Sequence, residues 1–170
     1  MINRFLVTAA AVAACGCFIL TGQQKAEPPA VYTLEQAAAG KTAYESSCGK
    51  CHLKGLTGRQ GDPGEVPPVT SLPDNMQKTL ADAGGKTPPL IGSAFMAKWK
   101  TTRDLSLRIK SAAGAFPPEN SNEETYLKVT AYILQSSGAR SGTQALTADT
   151  AVPIQSLDMN HSAQNHNVSR

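Results

Sequence analysis

The chain has 170 residues, 41% hydrophobic and 5% aromatic, with a formal net charge of +3. That length holds one compact domain and is too short for two comfortable ones. The mild basic excess does not call for nucleic acid as a partner; eleven Lys and Arg against six Asp and Glu concentrate it in residues 41–110.

Met1-Ile2-Asn3-Arg4 opens with a positive charge, residues 5–20 are apolar, and Thr21-Gly22-Gln23-Gln24-Lys25 is polar. This is the pattern of an export signal over residues 1–22, and sixteen apolar residues are marginal for a spanning helix. Val12-Ala13-Ala14-Cys15 also resembles the lipobox before a lipidated cysteine, which would tether the protein to a membrane through Cys15. Against the lipobox, the apolar Phe18-Ile19-Leu20 is unlike the polar start of most lipoproteins, and an uncleaved anchor is the third option. Residues 23–32, with Glu27-Pro28-Pro29-Ala30, read as a flexible spacer.

Thr33-Leu34-Glu35-Gln36 forms a capping box, so a helix is expected to start at Thr33 and run through Tyr44 into the next motif. That motif is Cys48-Gly49-Lys50-Cys51-His52. Two thiols three apart on one helical turn, followed at once by an imidazole, suit covalent attachment of haem: each thiol adds across a vinyl group and His52 ligates the iron. A structural zinc site would need four ligands, and the other Cys and His are Cys15, Cys17, His161 and His166, far from the cluster. A thioredoxin-like redox pair needs a βαβ context, whereas these flanks read as helical. A disulfide between Cys48 and Cys51 would close too small a loop to stabilise much and leaves His52 without a purpose. A buried porphyrin would also supply the apolar surface that the scarce aromatics do not.

Residues 55–73 carry four glycines and four prolines and read as a loop. A short helix is expected over residues 74–83, stopped by Gly84-Gly85. After Thr87-Pro88-Pro89-Leu90-Ile91-Gly92, residues 93–100 carry Phe95 and Trp99 one turn apart, either as plain core or against the porphyrin. Thr102 is expected to cap a helix over 103–110, and Gly114-Ala115-Phe116-Pro117-Pro118 to break it. Ser121-Asn122-Glu123-Glu124 is a second capping box, opening a helix with Tyr126, Val129, Thr130 and Ile133 on one face and Gly138 after it. No hairpin signal occurs, so the fold class is all-α. Residues 141–170 are mostly small and polar without an aromatic and read as a loosely ordered tail, in which His161 and His166 have no assigned role.

With these residues laid out, the chain resembles a class I cytochrome c, in particular the single-haem cytochromes that accompany or are fused to quinoprotein alcohol dehydrogenases. The matching stretches are Gln36-Ala37-Ala38-Ala39-Gly40-Lys41 with Tyr44, the Cys48-to-His52 motif, Pro88-Pro89-Leu90-Ile91-Gly92 with Phe95 and Trp99, and residues 126–135 with Gly138; the motif alone is highly specific. The resemblance implies a small helical domain over residues 33–140 around one covalently bound haem c, with first and last helices crossing near Gly40, Tyr44 and Tyr132. It implies an exported one-electron carrier, periplasmic or membrane-tethered, that transforms no substrate and works between a quinoprotein dehydrogenase and a respiratory oxidase. The cations around the motif would steer an acidic redox partner, or are simply solvated.

Two departures stand out. Residues 59–87 separate His52 from the Pro-Pro-Leu segment, so the proline carbonyl expected on the axial imidazole is not assigned to Pro88 or Pro89. The methionine that the family places before a proline as sixth iron ligand is Phe116 here. Met96, beside Phe95 and Trp99, is the substitute candidate, with gap-filling core packing as its plain alternative. An open or lysine-ligated sixth position is the other option, and an open one would make a five-coordinate haem protein that binds a small gas or peroxide.

Overall fold

The computed structural model describes residues 27–157 and residue 159; the expectations for residues 1–22, Cys15, His161 and His166 lie outside them. Among the described residues there are six α-helices and no strand, so the fold is all-α: α1 (Leu34–Ser46), α2 (Gly49–His52), α3 (Asp74–Asp82), α4 (Ser93–Met96), α5 (Thr102–Ala112) and α6 (Glu123–Ser136). None of these helices is long and apolar enough to cross a membrane.

α1 begins as its capping residue dictates, with the Thr33 hydroxyl accepting the Gln36 N–H at 3.2 Å. The Gln36 side chain does not reach back to complete the box. Its Nε2 donates to the Leu146 carbonyl and its Oε1 accepts the Leu146 N–H, both at 2.8 Å. α1 also stops short of the cysteines: Ser47 leaves helical geometry at φ −129 and ψ −80, and its hydroxyl donates to the Phe116 carbonyl at 2.7 Å.

α1 and α6 cross at Gly40, where a Cβ would lie 1.8 Å from the Lys128 carbonyl oxygen. Only glycine permits that approach. One turn along, the buried Tyr44 packs on Tyr132 with ring centroids 5.4 Å apart, so the expected crossing is formed by the expected residues. α6 is capped one residue later than the box read from sequence, by Asn122 and Thr125 bonding reciprocally. Its middle is buried from Val129 to Leu134, with α1 and α5 both packed on it.

Further boundaries differ from the sequence reading. α5 is capped by Thr101 with Asp104, not by Thr102; the Thr102 hydroxyl is buried and donates to the Thr150 carbonyl at 2.7 Å while accepting the Val152 N–H at 3.1 Å. Residues 141–157 are not a loose tail: Leu146, Ile154 and Leu157 are buried in the main core. Their backbone is held by Gln36, by Thr102, and by the Lys100 carbonyl, which accepts the Ile154 N–H at 3.0 Å. At the other end, Val31 and Tyr32 belong to the core and not to a spacer, with the Tyr32 phenol donating to the Ala139 carbonyl. The domain therefore extends on both sides of 33–140, because a few aliphatic side chains with satisfied backbones suffice to anchor a segment.

Candidate functional site

Cys48, Cys51 and His52 sit on and beside the single turn of α2. The His52 N–H donates to the Cys48 carbonyl at 2.8 Å, which puts the two thiols, three residues apart, on one face. Both cysteines are free. Gly49 lets this turn lie against Tyr44, whose ring would be 3.3 Å from a Cβ there. The chain leaves through Leu53 at φ 61 and Leu56 at φ 57, left-handed conformations uncommon for leucine. The Tyr44 phenol donates to the Leu53 carbonyl at 2.7 Å and fixes this exit.

Residues 51–59 are stitched to residues 87–90. The Thr87 hydroxyl donates to the Cys51 carbonyl at 2.8 Å and accepts the Arg59 N–H at 2.9 Å; Thr87 N–H donates to Arg59 and Leu90 N–H to Leu56. Gly58, at φ 70, lets the two stretches touch: a Cβ there would sit 2.2 Å from the Thr87 carbonyl oxygen and 2.7 Å from that of Pro88. The result is that His52 Nδ1 lies 2.9 Å from the Pro88 carbonyl oxygen. A carbonyl only accepts, so Nδ1 carries the proton and the Nε2 lone pair is free. The proline carbonyl on the imidazole, left open between Pro88 and Pro89, is that of Pro88.

Behind the motif the Arg59 side chain is fully buried. It pairs with Glu65 at 3.1 Å and donates to the carbonyls of Lys50, at 2.9 Å, and Pro67. It thereby holds Lys50, one of the two residues between the cysteines. Glu65 also accepts the Gln60 N–H, which together with Arg59 holds its carboxyl below the usual range.

The two thiols and His52 line one cavity of about 460 Å³, walled by Leu90, Phe95, Ile109, Phe116, Val129 and Ile133. Small-molecule and cofactor sites are about 300–1,000 Å³ and mainly apolar. Burial pushes both thiols up; for Cys51, Arg59 and Lys50 oppose it. Burial pushes the His52 imidazole down and so favours the neutral ring, while the Pro88 hydrogen bond opposes it. Trp99 lines the cavity and packs edge-on to Phe95 at 5.7 Å, and its buried Nε1 has no hydrogen-bond partner. Lys86, Lys98 and Arg108 also line it, and all three are exposed.

Met96 is not at this cavity. α4 extends only over Ser93–Met96 instead of running to residue 100, and Phe95 faces the cavity while Met96, about 100° further round the helix, is buried in the core. The sulfur that does line the cavity beside the cysteines is Met76 of α3, which the sequence reading left without a role. Its signal was present: Met76 and Leu80 are one turn apart on a helix otherwise polar but for Ala81.

Comparison with models of protein families, with curated proteins and with solved structures finds no match to this chain.

Proposed function

We propose that this protein is a c-type cytochrome: one haem c bound through Cys48 and Cys51, ligated by His52, carrying single electrons in the cell envelope. The observation that carries the reading is that both thiols and the imidazole, its Nδ1 proton engaged by Pro88, line the same apolar cavity. A haem bound there supplies the one-electron iron couple.

The chain supplies position, burial and charge. Cys48 and Cys51 would hold the group through two thioether bonds, each thiol adding its S and H across a vinyl double bond with no net oxidation. His52 presents Nε2, oriented by the hydrogen bond from its Nδ1 to Pro88. The residues fit a dicarboxylic macrocycle: the unpartnered Trp99 N–H is a donor in want of an acceptor, and Lys86, Lys98 and Arg108 offer countercharge. The apolar walls exclude water, which keeps the environment of the iron rigid between oxidation states. Any of these cations not engaged inward present a basic rim to an acidic donor or acceptor, for which a quinoprotein dehydrogenase and a respiratory oxidase are the proposed classes.

Expression in a host that exports the chain and attaches haem tests this. The purified protein is expected to be red, to keep its pigment in acidified organic solvent, and to give one reversible one-electron wave. Cys48→Ala with Cys51→Ala is expected to lose the covalent pigment. Pigment that the solvent extracts from the unaltered protein overturns the proposal.

A further inference from the structure

We propose that Met76 supplies the sixth iron ligand, through the thioether sulfur on α3; the assignment rests on the haem reading above. Three methionines lie among the described residues. Met96 is 4% exposed and Met159 half-buried, both packed into the main core, and neither lines the cavity. Met76 lines it, and it is the one thioether there.

Its direction follows from the local fold. α3 places Met76 and Leu80 on one face, and with Leu72 they form a small apolar cluster against which Cys51 and Phe116 pack. The opposite side of the helix carries the exposed Lys78–Asp82 pair. Gly84 and Gly85, at φ 68 and 74, end the helix, and Thr87 follows, tied to Cys51. The segment that carries Met76 is therefore fastened to the cysteine motif at its end.

Competing donors at the cavity are poorer. Lys86 and Lys98 are exposed, and an ammonium would have to give up both its proton and its hydration to bind iron. The Arg108 guanidinium has donors only and no lone pair to offer iron, and the Tyr44 phenol is engaged with Leu53 and pushed up by burial. Phe116 has no donor atom. A thioether enters an apolar site at little desolvation cost and, as a soft donor, favours the reduced iron.

The test uses the haem-loaded protein. The ferric protein is expected to show the near-infrared thioether-to-iron charge-transfer band; Met76→Leu is expected to abolish it, lower the reduction potential and let the reduced protein take up carbon monoxide. An unaltered protein without the band, or a band that survives Met76→Leu, overturns the assignment while covalent haem stands. If Met76→Leu does not accumulate, Met96→Leu and Met159→Leu decide: a band retained in both leaves Met76 as its source, and loss in either overturns it. A chain without covalent haem refutes the function reading itself.

Discussion

The Nδ1 atom of His52 is 2.9 Å from the carbonyl oxygen of Pro88, 36 residues further along the chain. Gly58 makes the approach possible, since a Cβ there would lie 2.7 Å from that oxygen. Gly58→Ala is expected to push the two segments apart and to cost about 2 kcal/mol or more, from the left-handed conformation alone and the clash on top of it. In the haem-loaded protein the weakened hydrogen bond makes His52 a poorer donor to oxidised iron, so the reduction potential rises. Voltammetry and thermal unfolding of the same variant check both; an unchanged potential with lowered stability would show that Pro88 does not tune the imidazole.

The α1–α6 crossing predicts a severe effect at Gly40. A methyl group there meets the Lys128 carbonyl, which is backbone and cannot rotate away. Gly40→Ala is expected to destabilise the fold by about 3 kcal/mol or more, and Gly84→Ala, where a Cβ would meet nothing within 4 Å, by less, through its positive φ alone. Denaturant unfolding of the two variants gives the comparison.

Acid should loosen residues 59–67. The carboxyl of Glu65 is held down first by the Gln60 N–H and also by Arg59. A depressed carboxyl contributes stability above its ordinary pKa and loses it as the pH falls through its folded value. Glu65→Gln is expected to flatten the acid limb of the stability curve and to leave the alkaline limb unchanged, measured by thermal unfolding across pH.

At high pH the relevant group is Tyr32, whose phenol burial pushes from 10.0 to about 12. The unfolded chain ionises first, so its contribution is complete below pH 10 and is lost as the pH climbs towards 12. Tyr32→Phe is expected to cost about 1–3 kcal/mol at neutral pH, by leaving the Ala139 carbonyl unpaired. It should also make the alkaline loss shallower, with Tyr44 and Tyr132, also raised by burial, keeping part of the slope.

What could be read from the chain follows the range of the interactions. Thr33 as a cap and α3 with its glycine stop are local patterns, whereas the meeting of Gly40, Tyr44 and Tyr132 is what the family resemblance implied; each appears in the fold. The Pro88 contact depends on two segments paired through Thr87 and Gly58, and no spacing rule encodes that. Residues 141–157 looked unanchored because they lack aromatics; Leu146, Ile154 and Leu157 hold them only because Gln36, Lys100 and Thr102 take up their backbone groups. Met96 was favoured for its neighbours in sequence, Phe95 and Trp99. One step round α4 turns it to the core, and the thioether at the cavity comes from α3.

Intact-mass spectrometry of the exported, purified protein, before and after extraction with acidified solvent, tests the central claim most directly. The account predicts a mass greater than that of the processed polypeptide by one haem, unchanged by extraction, with the addition localised by proteolysis to the peptide holding Cys48 and Cys51. A protein with the mass of the bare polypeptide, or an added mass that extraction removes, would contradict it.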